Sequence, residues 1–173
     1  WVSNESAYYL MKEGLVPPFT SEPENNSHYT MIDAQLTTEI FGLLSPARPD
    51  IALQMAHLPI RTTAKYDAEW ISEFYVTMHS LASAVDDSLL IEKKIVWLAK
   101  EARKRLPDSA YSAKMYDFID ASYKANPDKN DWEKTRDEVY QRYQKNSTDG
   151  YSYQQPFDAG INFAASLISL FYG

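Results

Sequence analysis

The sequence predicts an all-α fold of about seven or eight helices, on three observations. Apolar residues recur at three- and four-residue spacing along most of the chain. No segment keeps the two-residue alternation of a half-buried strand. Glycine is scarce, at 5 of 173 residues.

The elements follow in order. Residues 1–13 open with a short helix, with Ser3 or Asn4 as its cap. Leu15 to Tyr29 holds Pro17, Pro18 and Pro23 and reads as a long ordered loop, since proline breaks helix interiors. Ile32, Leu36, Ile40 and Leu43 or Leu44 predict a helix over 32–44. A turn at 45–49 puts Pro49 in the first turn of the next helix, which runs to Pro59. Tyr66 to Val85 is the longest periodic segment, with a stripe of Trp70, Phe74, Met78 and Leu81 widened by Ile71, Tyr75 and Ala82; it should be central.

Asp86-Asp87-Ser88 is expected to cap a helix from Leu89 to Arg105 with the stripe Ile91, Ile95, Leu98 and Ala102. Pro107-Asp108-Ser109 starts another, ended by Asn126-Pro127. Asp131 caps Trp132 to Gln144, with Trp132, Val139 and Tyr143 inward. A polar loop then leads through Pro156 to a last helix ending at Tyr172. Ile161 to Tyr172 is almost wholly apolar, too short for a membrane span and suited to a buried helix with neighbours on all sides. It predicts that the chain is part of a longer or processed protein, with a complete small protein ending in a helix as the alternative. The division expected is an N-terminal segment with a proline-rich loop, 1–31, and a helical domain, 32–173, within one larger domain.

Composition narrows function. With 45% hydrophobic and 24% charged residues the chain is an ordinary globular one, neither a disordered acidic tail nor a low-complexity segment. A net charge of −7 argues against a nucleic-acid backbone as partner. The absence of cysteine removes disulfides, thiolate metal sites and a cysteine nucleophile. His28, His57 and His79 share no ligand spacing, and no phosphate-binding glycine loop or nucleophile elbow is present. Sequons at Asn4, Asn25 and Asn146 mark possible glycan acceptors and hint at the secretory route, with coincidence as the alternative.

Three stretches could carry chemistry. Gln35 and Glu39 lie one turn apart beside an apolar face. Leu58 to Ala64, with Arg61 and Thr62, feeds the central helix, where Glu69 and Glu73 stand at i, i+4. Glu73, between Trp70 and Phe74, is placed for partial burial, and a buried carboxylate is paired or functional. Asp158 and Asn162 share a face at the start of the last helix. Hydrogen bonding between helices is the alternative reading for each.

Together these stretches resemble the ADP-ribosylglycohydrolase family from Ile32 to Gly173. Ile32-Asp33-Ala34-Gln35-Leu36 through Gly42, then Pro46, Pro49 and Ala52, is similar to the family's I-G-A-Q-I segment, glycine and P-G-x-P-x-x-A. Thr62 to Met78 resembles the segment in which a Ser-His motif leads into a G-E-M-F-like helix, with Ser72-Glu73-Phe74-Tyr75 in the latter place. Asp86 through Pro107 resembles the next helix, and Asp158 to Gly173 the H-x-x-x-N-A helix ending L-L-Y-G.

The resemblance implies an incomplete multi-helix orthogonal bundle and a metal-dependent hydrolase of a glycosidic bond, acting on an ADP-ribosylated, small-molecule or related glycosidic substrate. Gln35, Glu39, Arg61, Thr62, Glu73, Asp158 and Asn162 would line the cleft. Magnesium, or manganese, would be held by acidic motifs outside these residues, on flanking segments or a second chain. Three departures point to a divergent subfamily: Ala64-Lys65 where the Ser-His motif has its histidine, Glu69-Trp70-Ile71-Ser72 in place of a G-x-Y-G, and Asp158 in place of the last helix's histidine. A non-catalytic helical binding or structural module on the same scaffold is the alternative.

Overall fold

The computed structural model describes residues 1–145 and 155–173. They form the helices α1 (Val2–Lys12), α2 (Asp33–Thr38), α3 (Ile40–Leu44), α4 (Pro49–Ile60), α5 (Asp67–Leu81), α6 (Ile91–Arg103), α7 (Tyr111–Ala125), α8 (Trp132–Val139, continued by a π-helical turn, Tyr140–Lys145) and α9 (Ala159–Tyr172). Among the described residues there is no strand, only a single antiparallel bridge between Met31 and Asp158. The chain is all-α, as the periodicity predicts.

The central helix is α5. It packs against α2, α3, α4, α6, α7 and α9. Its Ile71, Phe74 and Val76 are fully buried. Phe74 meets Phe163 of α9 edge-on at 5.0 Å and Tyr116 of α7 at 6.0 Å, so one ring joins three helices. Helix α9 finds its neighbours in α5, α6, α7 and α8. Phe163, Ala164, Leu167, Ile168, Phe171 and Tyr172 are buried, while Ala165 and Ser169 face outward.

The expected 32–44 helix is two helices, broken at Glu39. Helix α3 then lies so close to α5 that a side chain on Gly42 would press into the Val76 carbonyl oxygen and sit 2.7 Å from His79 Cβ. The turn after α3 is fastened to the same part of α5. Ser80 donates its hydroxyl to the Ser45 carbonyl at 2.5 Å and accepts the Arg48 amide at 3.1 Å. Gly42→Ala should therefore destabilise the protein by about 2 kcal/mol in urea unfolding, although alanine is the better helix former, because backbone rather than a side-chain tip must move.

Several expected caps fall elsewhere. Ser3 does not cap α1; it is buried, and its hydroxyl donates to the Asp33 carboxylate. Nor do Asp86 and Asp87 cap α6, whose N-cap is Leu90; Asp86 closes a turn by accepting the Ser88 amide at 2.8 Å. Ile91 and Trp132 are exposed rather than inward, because a helical period gives a face and not its depth. The side chain of Asp131 makes no cap bond to α8. Helix α7 is capped from outside: Asp67, in the first turn of α5, accepts the Ser112 amide at 2.8 Å.

Candidate functional site

The loop between α1 and α2 is ordered by buried polar groups. Thr20, Ser21 and Asn26 are almost wholly buried. Asn26 donates to the Ser3 carbonyl at 3.2 Å and accepts the His28 amide at 3.0 Å. Beyond it, residues 29–32 run between the starts of two helices. The Tyr29 carbonyl accepts the Lys65 amide just before α5, and the Thr30 carbonyl accepts the Ala159 amide of α9.

Arg61 ends α4 with its side chain buried against this loop. Its Nε donates to Ser21 Oγ at 3.0 Å, one terminal nitrogen donates to Glu22 at 2.5 Å, and the other lies 3.6 Å from Glu69. Lys65 Nζ adds a second bond to Glu22 at 3.0 Å. The Lys65 bond, joined by that from Arg61, holds the Glu22 carboxyl below its usual range.

The next two carboxyls go the other way. Burial pushes Glu69 up, opposed by the charges of Arg61, Lys65 and His57. Burial pushes Glu73 further, to about 7, helped by the charge of Glu69 and opposed by Arg105 and Arg61. One turn of α5 thus carries a carboxyl beside a guanidinium and a second carboxyl that holds its proton near neutral pH.

An aromatic group adjoins the pair on the same helix. Tyr66 packs edge-on to Tyr29 at 6.2 Å and tilts against Trp70 at 6.3 Å, with Lys65 Nζ 5.5 Å from the Tyr66 ring centre. Tyr66 has φ +54°, a left-handed backbone that a tyrosine adopts at a cost, and its ring is half-exposed.

Of the seven cleft residues that the sequence suggests, the structure brings Arg61 and Glu73 together around Glu69. Gln35 is buried on α2, with its Oε1 lacking a protein partner. Glu39 sits at the α2–α3 break, where its charge reaches the Tyr75 hydroxyl. Thr62 donates its hydroxyl to the Leu58 carbonyl at 2.9 Å. Asp158 and Asn162 shape the start of α9: Asp158 accepts the Gly160 amide at 2.8 Å, and Asn162 donates to the Asp158 and Pro156 carbonyls. Of the sequons, Asn4 lies on α1, Asn25 is exposed and donates to the Phe19 carbonyl, and Asn146 is outside the described residues. Glu22, Lys65, Tyr29 and Tyr66 belong to the cluster without a spacing that marks them; only the long proline-bearing loop signals that something is held there.

This donor set does not fit magnesium or manganese. Among the described residues no group of three or more His, Cys, Asp or Glu is placed to hold a metal. Here Glu22 and Glu69 are paired with Arg61, which leaves their oxygens facing a cation of the protein's own rather than open to a hard dication. The two largest cavities described lie instead along α9. One, of about 530 Å³, is lined by Lys129, Trp132, Arg136, Ile168 and Tyr172 among others; the second, of about 400 Å³, lies against Phe74, Met78, Ile95 and Leu170. Neither is lined by the carboxyl pair. Among the described residues, no helix is long and apolar enough to cross a membrane.

The raised Glu73 carboxyl makes stability depend on pH in a definite direction. The folded state keeps a proton that the unfolded chain releases above 4.5. This contribution is full below 4.5 and is lost as pH rises towards about 7. Allowing for the water that reaches a half-buried group, the loss is on the order of 2 kcal/mol. Urea unfolding at pH 5 and pH 8 should show the parent losing about that much more than Glu73→Gln.

Compared with known proteins, the chain matches no family model, no curated protein and no solved structure.

Proposed function

We infer that the chain serves the hydrolysis of a glycosidic bond, with an ADP-ribosyl group or a related glycoside as substrate. The observation that carries this reading is the carboxyl pair on α5, where Glu73 holds a proton near pH 7 one turn from Glu69. Glycosidic cleavage needs an acid to protonate the departing oxygen and a carboxylate to stabilise positive charge on the sugar or to activate water. Glu73 is the acid, and Glu69, beside Arg61, is the carboxylate. Arg61 is a positioning residue, since its nitrogens face Ser21, Glu22 and Glu69. The rings of Tyr66 and Trp70 supply apolar faces beside the pair. Magnesium or manganese enters this reading only through residues other than these, and no step here uses it.

The test is turnover by the protein as encoded, supplied with magnesium and with ADP-ribosylated peptides and small ADP-ribosyl conjugates. Release of ADP-ribose is expected, with Glu73→Gln lowering kcat by about 10²–10⁴ and removing the pH limb near neutrality. No release of ADP-ribose or any sugar, or a Glu73→Gln variant with unchanged kcat, overturns the reading.

A second reading is a non-catalytic helical module. It is favoured by the Arg61 contacts, which tie the loop before α2 to α4 and α5 and leave the guanidinium's three nitrogens on protein partners. It predicts binding of a glycosidic ligand without turnover.

A further inference from the structure

The layer formed by α2, α3 and α4 buries Ala34, Thr38 and Gly42 on one helix line and Ala52, Ala56 and Ile60 on the other. With those residues the layer packs on α5. Its outer face is also apolar. Leu36, Ile40, Leu43 and Leu44 run along α2 and α3, and Ile51, Met55 and Leu58 along α4, each 37% to 64% exposed. Both lines follow the i, i+4, i+7 spacing of a helix seam, so each helix is apolar on two faces. A helix apolar on both faces is buried on both.

We propose that a second copy of this chain covers the face, through a two-fold symmetric pairing of the α2–α3–α4 layers. Area is the first argument. The seven side chains leave on the order of 600 Å² in water, at the top of what a monomer shows and close to the roughly 800 Å² that each partner contributes to a standard interface. Shape is the second. Each line is a ridge of exposed side chains at i, i+4 and i+7, the form in which helices pack ridge into groove against a like pair. Two such two-helix layers face to face make a four-helix arrangement with a dry centre. Charge is the third. None of the seven side chains is charged, and the exposed Arg48 and Asp50 beside them neutralise each other at 2.8 Å, so two copies meet without repulsion there. The pairing is isologous, because one patch meets its own copy.

The experiment is sedimentation equilibrium of the protein as encoded from about 1 to about 200 µM, beside Leu43→Glu and Leu58→Glu, with circular dichroism to confirm the fold. The parent is expected to reach twice the chain mass, and each variant to weaken association at least about 100-fold with the helical spectrum intact. Both sites are exposed, so the variants test the interface and not the core. A parent that stays monomeric at the highest concentration, or a dimer that ignores both variants, overturns the proposal. So does a monomer whose Leu43 and Leu58 methyl groups are shielded from a soluble paramagnetic agent, because another segment of its own polypeptide then covers the face.

Discussion

Phe74→Ala is expected to cost about 3–5 kcal/mol in urea or thermal unfolding. The ring is fully buried and contacts Tyr75, Tyr116 and Phe163 at centroid distances from 5.0 to 6.0 Å. Truncation removes apolar area and also leaves a void where α5, α7 and α9 meet, and close-packed neighbours on three helices cannot all move in to fill it. Ile91→Ala supplies the contrast. That residue lies on an equally regular stripe of α6 but is mostly exposed, so its truncation should stay within about 0.5 kcal/mol.

Arg61→Ala should cost about 3–5 kcal/mol, as expected when one partner of a buried ionic cluster is removed. The Glu69 carboxylate loses its nearest cation, Ser21 Oγ loses its donor, and Glu22 keeps only Lys65. Loss of the guanidinium also removes the charge that opposes burial at Glu69, so that carboxyl should take up a proton more readily. Hydrogen exchange should show residues 15–29 losing protection first, because Arg61 is the side chain that fastens Ser21 and Glu22 to α4. Arg61→Lys should recover only part of the loss, since a single ammonium cannot serve Ser21, Glu22 and Glu69 in the geometry of a planar fork.

Much of the fold was legible because burial imposes a period that sequence must carry. The stripe through Trp70, Phe74 and Met78 marked α5 as central, and the apolar run to Tyr172 marked α9 as buried. Other features were not legible, for physical reasons. The break at Glu39 leaves the apolar period unchanged, so one helix and two helices read alike. Asp86 has the chemistry of a cap, and the same chemistry closes the turn at Ser88. Helix α7 takes its cap from Asp67, far away in sequence, which no local signal records.

The site divides in the same way. Partial burial of Glu73 was visible from its neighbours on α5, and Arg61 from its place at the end of α4. Glu22 and Tyr29 were hidden because a loop has no period and their partners lie across the chain. Asp158 and Asn162 kept their one-turn spacing, but the spacing serves the start of α9.

The chemistry assigned to α5 requires Glu73 to carry its proton near neutrality one turn from Glu69. Carbon-13 NMR of the Glu73 side-chain carboxyl, followed across pH and assigned with Glu73→Gln, tests it directly. A titration midpoint close to 7 is expected. A midpoint at the ordinary 4.5 would contradict it, and with it the assignment of Glu73 as the acid.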